Sequence, residues 1–187
     1  MKDGVLPARG GTETERRARQ GLTVFLALYG AFIAFHPDHY GLVDSLDLPI
    51  HEAGHPLFSI FGEFIGYAGG TLMQLLVPAV FLGYFWRRRD RHAATVMLWW
   101  IAQNLFNISR YIADARTQEL PLVGGGEHDW AYLLGELGLL QQDRAIADAV
   151  HFAGVILFIA SCVWGWIYAS AVGRGASAKA EVPAAPP

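Results

Sequence analysis

The chain has 187 residues and a formal net charge of −3; 53% of its residues are hydrophobic and only 17% are charged. That charged fraction is well below the ~25% of an ordinary soluble domain, and the negative balance excludes a protein that grips nucleic acid through its phosphates. A single cysteine, Cys162, excludes an internal disulfide and a thiolate zinc site.

The charges are crowded, and between them lie uncharged runs. Residues 1–19 read as a basic cytoplasmic N-terminal segment, residues 20–173 as a membrane-embedded helical domain, and residues 174–187 as a disordered cytoplasmic tail; residues 1–15 also read as disordered. Four uncharged stretches approach or exceed the ~18–20 residues that cross a bilayer as a helix. The first lies between Arg19 and Asp38, around "LTVFLALYGAFIAF". It lacks a small-x-small cleavage site, so it reads as a retained anchor. The others cover 64–86, 92–109 with a polar continuation to Asp114, and 149–173.

Basic residues set the direction of these spans. Arg16, Arg17 and Arg19 precede the first; Arg87, Arg88, Arg89 and Arg91 join the second to the third; Arg174 and Lys179 follow the fourth. Four spans with both termini inside put every basic group in the cytoplasm, as expected of a bacterial inner-membrane protein. Residues 50–63 must then re-enter or lie at the outer interface, with Gly69 and Gly70 turning into the next span. The predicted fold is an all-α polytopic membrane bundle. It has four transmembrane helices, one re-entrant or interfacial helix, and a short amphipathic surface helix at "WAYLLGELGLL".

The re-entrant segment carries "HEAGH", residues 51–55, in the spacing H-E-x-x-H. Residues four apart share a helix face, so His51 and His55 can aim two imidazoles at one ion, with Glu52 beside it. Two such ligands and a carboxylate are the parts of a zinc hydrolase: Zn2+ acidifies water and Glu52 takes the proton. Pro49 suits the first turn of this helix, with Asp47 as its cap, and Pro56 should loosen it just after the pair. Ionisable residues beside hydrophobic segments are costly, which favours a functional reading over surface histidines.

A third ligand is needed. Asp114 closes a polar stripe, Gln103, Asn107, Arg110 and Asp114, flanked by Asn104; its alternative role is an ion pair with Arg110. His128, Asp129 and Glu127 lie in "GGGEHDW"; His128 is the better zinc donor by type, and Asp129 either joins the site or caps the surface helix. Asn104, Asn107 and Arg110 are candidates for positioning substrate or holding an oxyanion. His36, His39 and His151 share the outer side.

With "HEAGH", then "GGTLMQLLVP", then "NLFNISRYIADA", the chain resembles the site-2 protease group of intramembrane zinc metalloproteases over residues 48–115. The resemblance implies His51, His55 and Asp114 as ligands, Glu52 as catalytic base, and Asn104 or Asn107 as a substrate-positioning amide. A distinct kind of small membrane zincin with His128 as third ligand accounts for the same residues. The expected activity is hydrolysis of a peptide bond in a membrane-associated protein or peptide near the outer face. The alternatives are a structural metal site, a partner-binding role, or hydrolysis of a lipid or small amide. The oligomeric state is open.

Overall fold

The computed structural model describes residues 11–36, 39–122 and 127–173, and all its regular elements are helices. The expected disorder of residues 1–10 and 174–187 lies outside the described residues; residues 13–15, in contrast, already belong to the first helix. That helix, α1, spans Glu13–Phe35 and starts where the Thr12 hydroxyl accepts the Glu15 amide.

The remaining helices follow in order: α2 (Leu42–Phe58), α3 (Glu63–Arg87), α4 (Arg91–Ala113), α5 (Asp129–Glu136) and α6 (Asp143–Ala171). Three helical segments are long and apolar enough to cross a membrane: α1, α3 and Leu140–Ala171, which includes α6. They leave large apolar side chains uncovered, among them Phe25 and Leu28 on α1, Val80 on α3, and Phe152, Ile159 and Trp166 on α6. In water such faces would aggregate, whereas lipid covers them at no cost.

The fourth long helix, α4, has the length of a span but a polar interior. Gln103 and Asn104 are completely enclosed, in keeping with a polar stripe turned to the bundle interior. α4 packs mainly on α6 and then on α3, while α2 leans on α3. Ile108, Ile112 and Ala115 meet Leu134 of α5 and Ala147 of α6 in the core beneath the site. At the other end Arg19 donates to Asp90 at 2.9 Å, and His92 meets Thr23 at 3.0 Å, closing α1 on α4 beside the basic loop.

Three local expectations are corrected. Asp47 is not the cap of α2: the helix begins a turn earlier, where the Asp44 carboxylate accepts the Gly41 amide at 2.7 Å. Pro49 therefore sits inside the helix; after Pro56 the α-helix continues only to Phe58 and then passes into a 3-10 turn. Gly69 and Gly70 do not form the turn into α3 but lie within it. The turn is at Gly62, whose φ of 107° is open to glycine and strained for other residues.

Candidate metal centre

The stripe of α4 determines how α2 sits. The Asp44 carboxylate accepts from Gln103 at 3.0 Å and from Asn107 at 2.9 Å; Asp47 accepts the Trp100 indole N–H at 2.8 Å. Both acids are buried. With one side of α2 held this way, Gly54 faces α3, and its backbone lies directly on that of Gly69 and Gly70. A side chain at Gly70 would displace the His51 ring, and one at Gly54 or Gly69 would hold the helices apart. Their closeness brings His51 and His55 onto α3.

Each imidazole is then fixed through Nδ1. His55 Nδ1 lies 2.9 Å from the Gly66 carbonyl oxygen, and His51 Nδ1 lies 2.8 Å from Gln74 Oε1. A carbonyl only accepts, so each ring carries an N–H on Nδ1, and Nε2 presents a lone pair when the ring is neutral. The orientation of Gln74 is itself determined. Its amide donates to the carbonyls of Asn104 and Asn107, both at 3.2 Å. The Asn107 amide in turn donates to Asp44, which as a carboxylate can only accept, and the Asn104 amide donates to the Trp100 carbonyl. A relay of four residues thus runs from Asp44 through Asn107 and Gln74 to His51.

The third group comes from α5. His128 precedes that helix and caps it, its Nδ1 accepting the Ala131 amide at 3.2 Å. This leaves Asp129, on the first turn, free to turn inward. Its Oδ2 lies 2.9 Å from His51 Nε2 and 3.5 Å from His55 Nε2. Ligand atoms from His51, His55 and Asp129 all lie within 4.8 Å of one another. With both rings neutral, two imidazole lone pairs and a carboxylate oxygen converge with no intrinsic donor among them. Such a point is electrostatically unsatisfied unless a cation or a proton occupies it. The donor set, two nitrogens and one oxygen with both outer N–H groups tied to carbonyls, fits Zn2+ and leaves a fourth position open.

The other candidates lie elsewhere. Asp114 is spent on the loop after α4: its carboxylate accepts from the Thr117 hydroxyl at 2.7 Å and from the amides of Glu119 and Leu120 at 2.9 and 3.0 Å. Burial opposes its charge, but these bonds prevail and hold the carboxyl below its ordinary range. The alternative ion pair of Asp114 with Arg110 is likewise absent among the described residues. His128 is fully enclosed; burial pulls its pKa down, against the nearby Asp114 carboxylate 3.4 Å from Nε2. Glu127 accepts from the Tyr67 hydroxyl at 3.0 Å at the rim. Asn107 is committed to the relay, and Asn104 to Gln74 and the Trp100 carbonyl. His36 folds back on the Phe32 carbonyl, and His151 lies against the Phe106 ring, 5.0 Å between centroids. Residues 123–126, which include the three glycines of "GGGEHDW", lie outside the described residues.

A cavity of about 460 Å³ opens over the centre, lined by His51, Glu52, His55, Tyr67, Tyr111 and Asp129 among others. A second of about 200 Å³ adjoins it and reaches Asp44, Gln74, Asn107 and Arg110. Tyr111, not singled out by the sequence, lies against His51 with ring centroids 5.9 Å apart. It is one helical turn beyond Asn107 on the polar stripe, a signal that could have found it.

The relay has a measurable consequence. Replacing Gln74 by leucine leaves the His51 N–H without an acceptor and lets the ring turn. Loss of such a supporting bond weakens metal binding by about 10–100-fold. Competition of the purified variant against a zinc-sensitive chelating dye should read a shift of that size, while helix content by circular dichroism stays unchanged. Comparison of the chain with family models, curated proteins and solved structures finds no match.

Proposed function

We propose that the protein is a membrane-embedded, zinc-dependent metallopeptidase that hydrolyses a peptide bond of membrane-associated substrates. The observation that carries this reading is the convergence of His51, His55 and Asp129, each imidazole aimed by a bond at its far nitrogen, in a cavity that also exposes Glu52. A purely structural site would close its fourth position with protein, whereas this one opens onto about 460 Å³.

In this reading α4 joins α1, α3 and α6 as a fourth span, and α2 is the re-entrant or interfacial helix. Both termini and the loop of Arg87, Arg88, Arg89 and Arg91 are cytoplasmic. Gly70 and Gln74 lie 17 and 13 residues before Arg87 on α3, which at 1.5 Å per residue is roughly 20–25 Å. Against a hydrocarbon core of ~30 Å, the centre belongs near the outer face.

Zn2+, when bound, supplies a Lewis acid and a water whose pKa falls to about 7. His51, His55 and Asp129 would hold it. Glu52 would take a proton from the attacking water at its carboxylate and return it to the amide nitrogen as the C–N bond breaks. Water oxygen bonds to the carbonyl carbon, and the products are a carboxylate and an amine.

The deciding experiment is Glu52→Gln. Zinc content should remain at one per chain, while cleavage of an added unfolded protein such as casein, in detergent, should fall by about 10²–10⁴-fold. Wild-type rates in that variant would instead assign the centre a structural role.

A further inference from the structure

We infer that Tyr111 is a catalytic residue, its phenol donating a hydrogen bond to the carbonyl oxygen of the bound amide as negative charge develops there. The inference rests on the peptidase reading and adds to it the residue that receives the oxyanion.

The two cavities share four lining residues: His51, Glu52, Tyr111 and Leu122. An extended substrate lying through both must pass over these four, so its reacting carbonyl lies among them. Leu122 is apolar, and Glu52 is committed to carrying the water's proton to the amide nitrogen. His51 has its one N–H turned away toward Gln74. Tyr111 alone among them can donate.

Its oxygen is also held in place. Tyr111 Oη accepts the backbone amide of Asp129 at 3.3 Å, which ties it to the residue that supplies the third metal donor. The ring is wedged between His51 and His128, with centroids 5.9 and 4.2 Å away. A phenol that accepts a hydrogen bond becomes a better donor through its own hydrogen. No described residue accepts that hydrogen, so it is available to a ligand in the cavity.

The sequence-derived oxyanion candidates do not compete for this role. Asn104 and Asn107 give their amides to the Trp100 carbonyl and Asp44. His128, against the Tyr111 ring, is fully enclosed and offers no alternative donor to the cavity. Arg110 lines the smaller cavity but not the one that contains His55 and Asp129, so it meets a substrate away from the reacting bond.

The test is Tyr111→Phe in the full-length, zinc-loaded chain in detergent, a change that keeps the ring and removes only the hydroxyl. With casein as substrate, kcat should fall by about 10²-fold, as for loss of one oxyanion donor, with KM within about threefold of wild type and zinc content unchanged. A kcat within about threefold of wild type overturns the inference and leaves the peptidase reading intact. Loss of zinc with the hydroxyl also overturns it, because the tyrosine would then be holding Asp129 rather than substrate. If wild type binds zinc but does not cleave casein, affinity for a phosphinic pseudopeptide, a tetrahedral anion mimic, decides. Tyr111→Phe should weaken that binding by about 10–100-fold relative to wild type, through loss of one hydrogen bond to a charged group. Equal affinity in the two proteins overturns the inference, and no binding to either removes it together with the peptidase reading.

Discussion

Asp129→Ala should leave the purified protein without zinc, whereas Asp114→Ala and His128→Ala should retain about one ion per chain. The contrast follows from where the three side chains are spent. Asp129 Oδ2 faces both imidazole Nε2 atoms, and its position on the first turn of α5 places a carboxylate where the helix dipole favours negative charge. Asp114 is occupied by one hydroxyl and two amides, and His128 by the amide of Ala131. Loss of a direct ligand should exceed the ~10–100-fold effect of losing a supporting bond, so affinity should fall by more than about 10²-fold. Asp114→Ala should lower the melting temperature instead, since it removes three hydrogen bonds that hold the loop after α4, each worth about 0.5–1.5 kcal/mol. Elemental analysis after chelator-free gel filtration measures the first effect and a thermal melt the second. Retention of zinc by Asp129→Ala, with loss in Asp114→Ala, would place the centre around the wrong acid.

Gly54→Ala should disrupt the same centre without touching a ligand. The added methyl would lie inside the carbonyl oxygen of Gly69, 2.6 Å from its carbonyl carbon and 2.9 Å from the Gly70 nitrogen. These are backbone atoms of a neighbouring helix, so relief requires α2 to lift away from α3. Overpacking of this kind costs about 1–3 kcal/mol, and the displacement also separates His51 from Gln74. Zinc content should fall together with thermal stability. Gly21→Ala and Gly83→Ala are the matching controls: neither added methyl meets anything within 4 Å. Both lie within helices, where alanine is favoured over glycine by up to about 1 kcal/mol. The two controls should melt at or above wild type. A Gly54→Ala protein as stable and as metal-rich as the controls would mean that α2 and α3 are not in backbone contact.

Much of this arrangement is legible in the residue order because it depends on local periodicity. The "HEAGH" pair falls on one helix face by spacing alone, and the stripe from Gln103 to Arg110 announces a polar interior. The long apolar runs correspond to α1, α3 and α6 to within a few residues at most ends. Other features depend on partners distant in sequence. Asp44 and Asp47 look like surface acids before α4 is set beside them. The pair Gly69–Gly70 looks like a turn, because glycine in sequence does not distinguish a bend from close backbone contact. The choice among Asp114, His128 and Asp129 turned on which acid had amides to satisfy and which residue capped α5. Local sequence expressed neither.

The donors His51 and Asp129 are 78 positions apart, and the only covalent path between them passes through α3 and α4. A cation gripping both would act as a clasp across most of the bundle. Chelation should therefore loosen α5 first, with proteases entering near residue 122 before any long helix yields. The ion would also have to arrive late in biosynthesis, after the chain beyond α4 has emerged. Its delivery would then be a checkpoint on finished molecules, keeping the centre empty until the surrounding helices are in place.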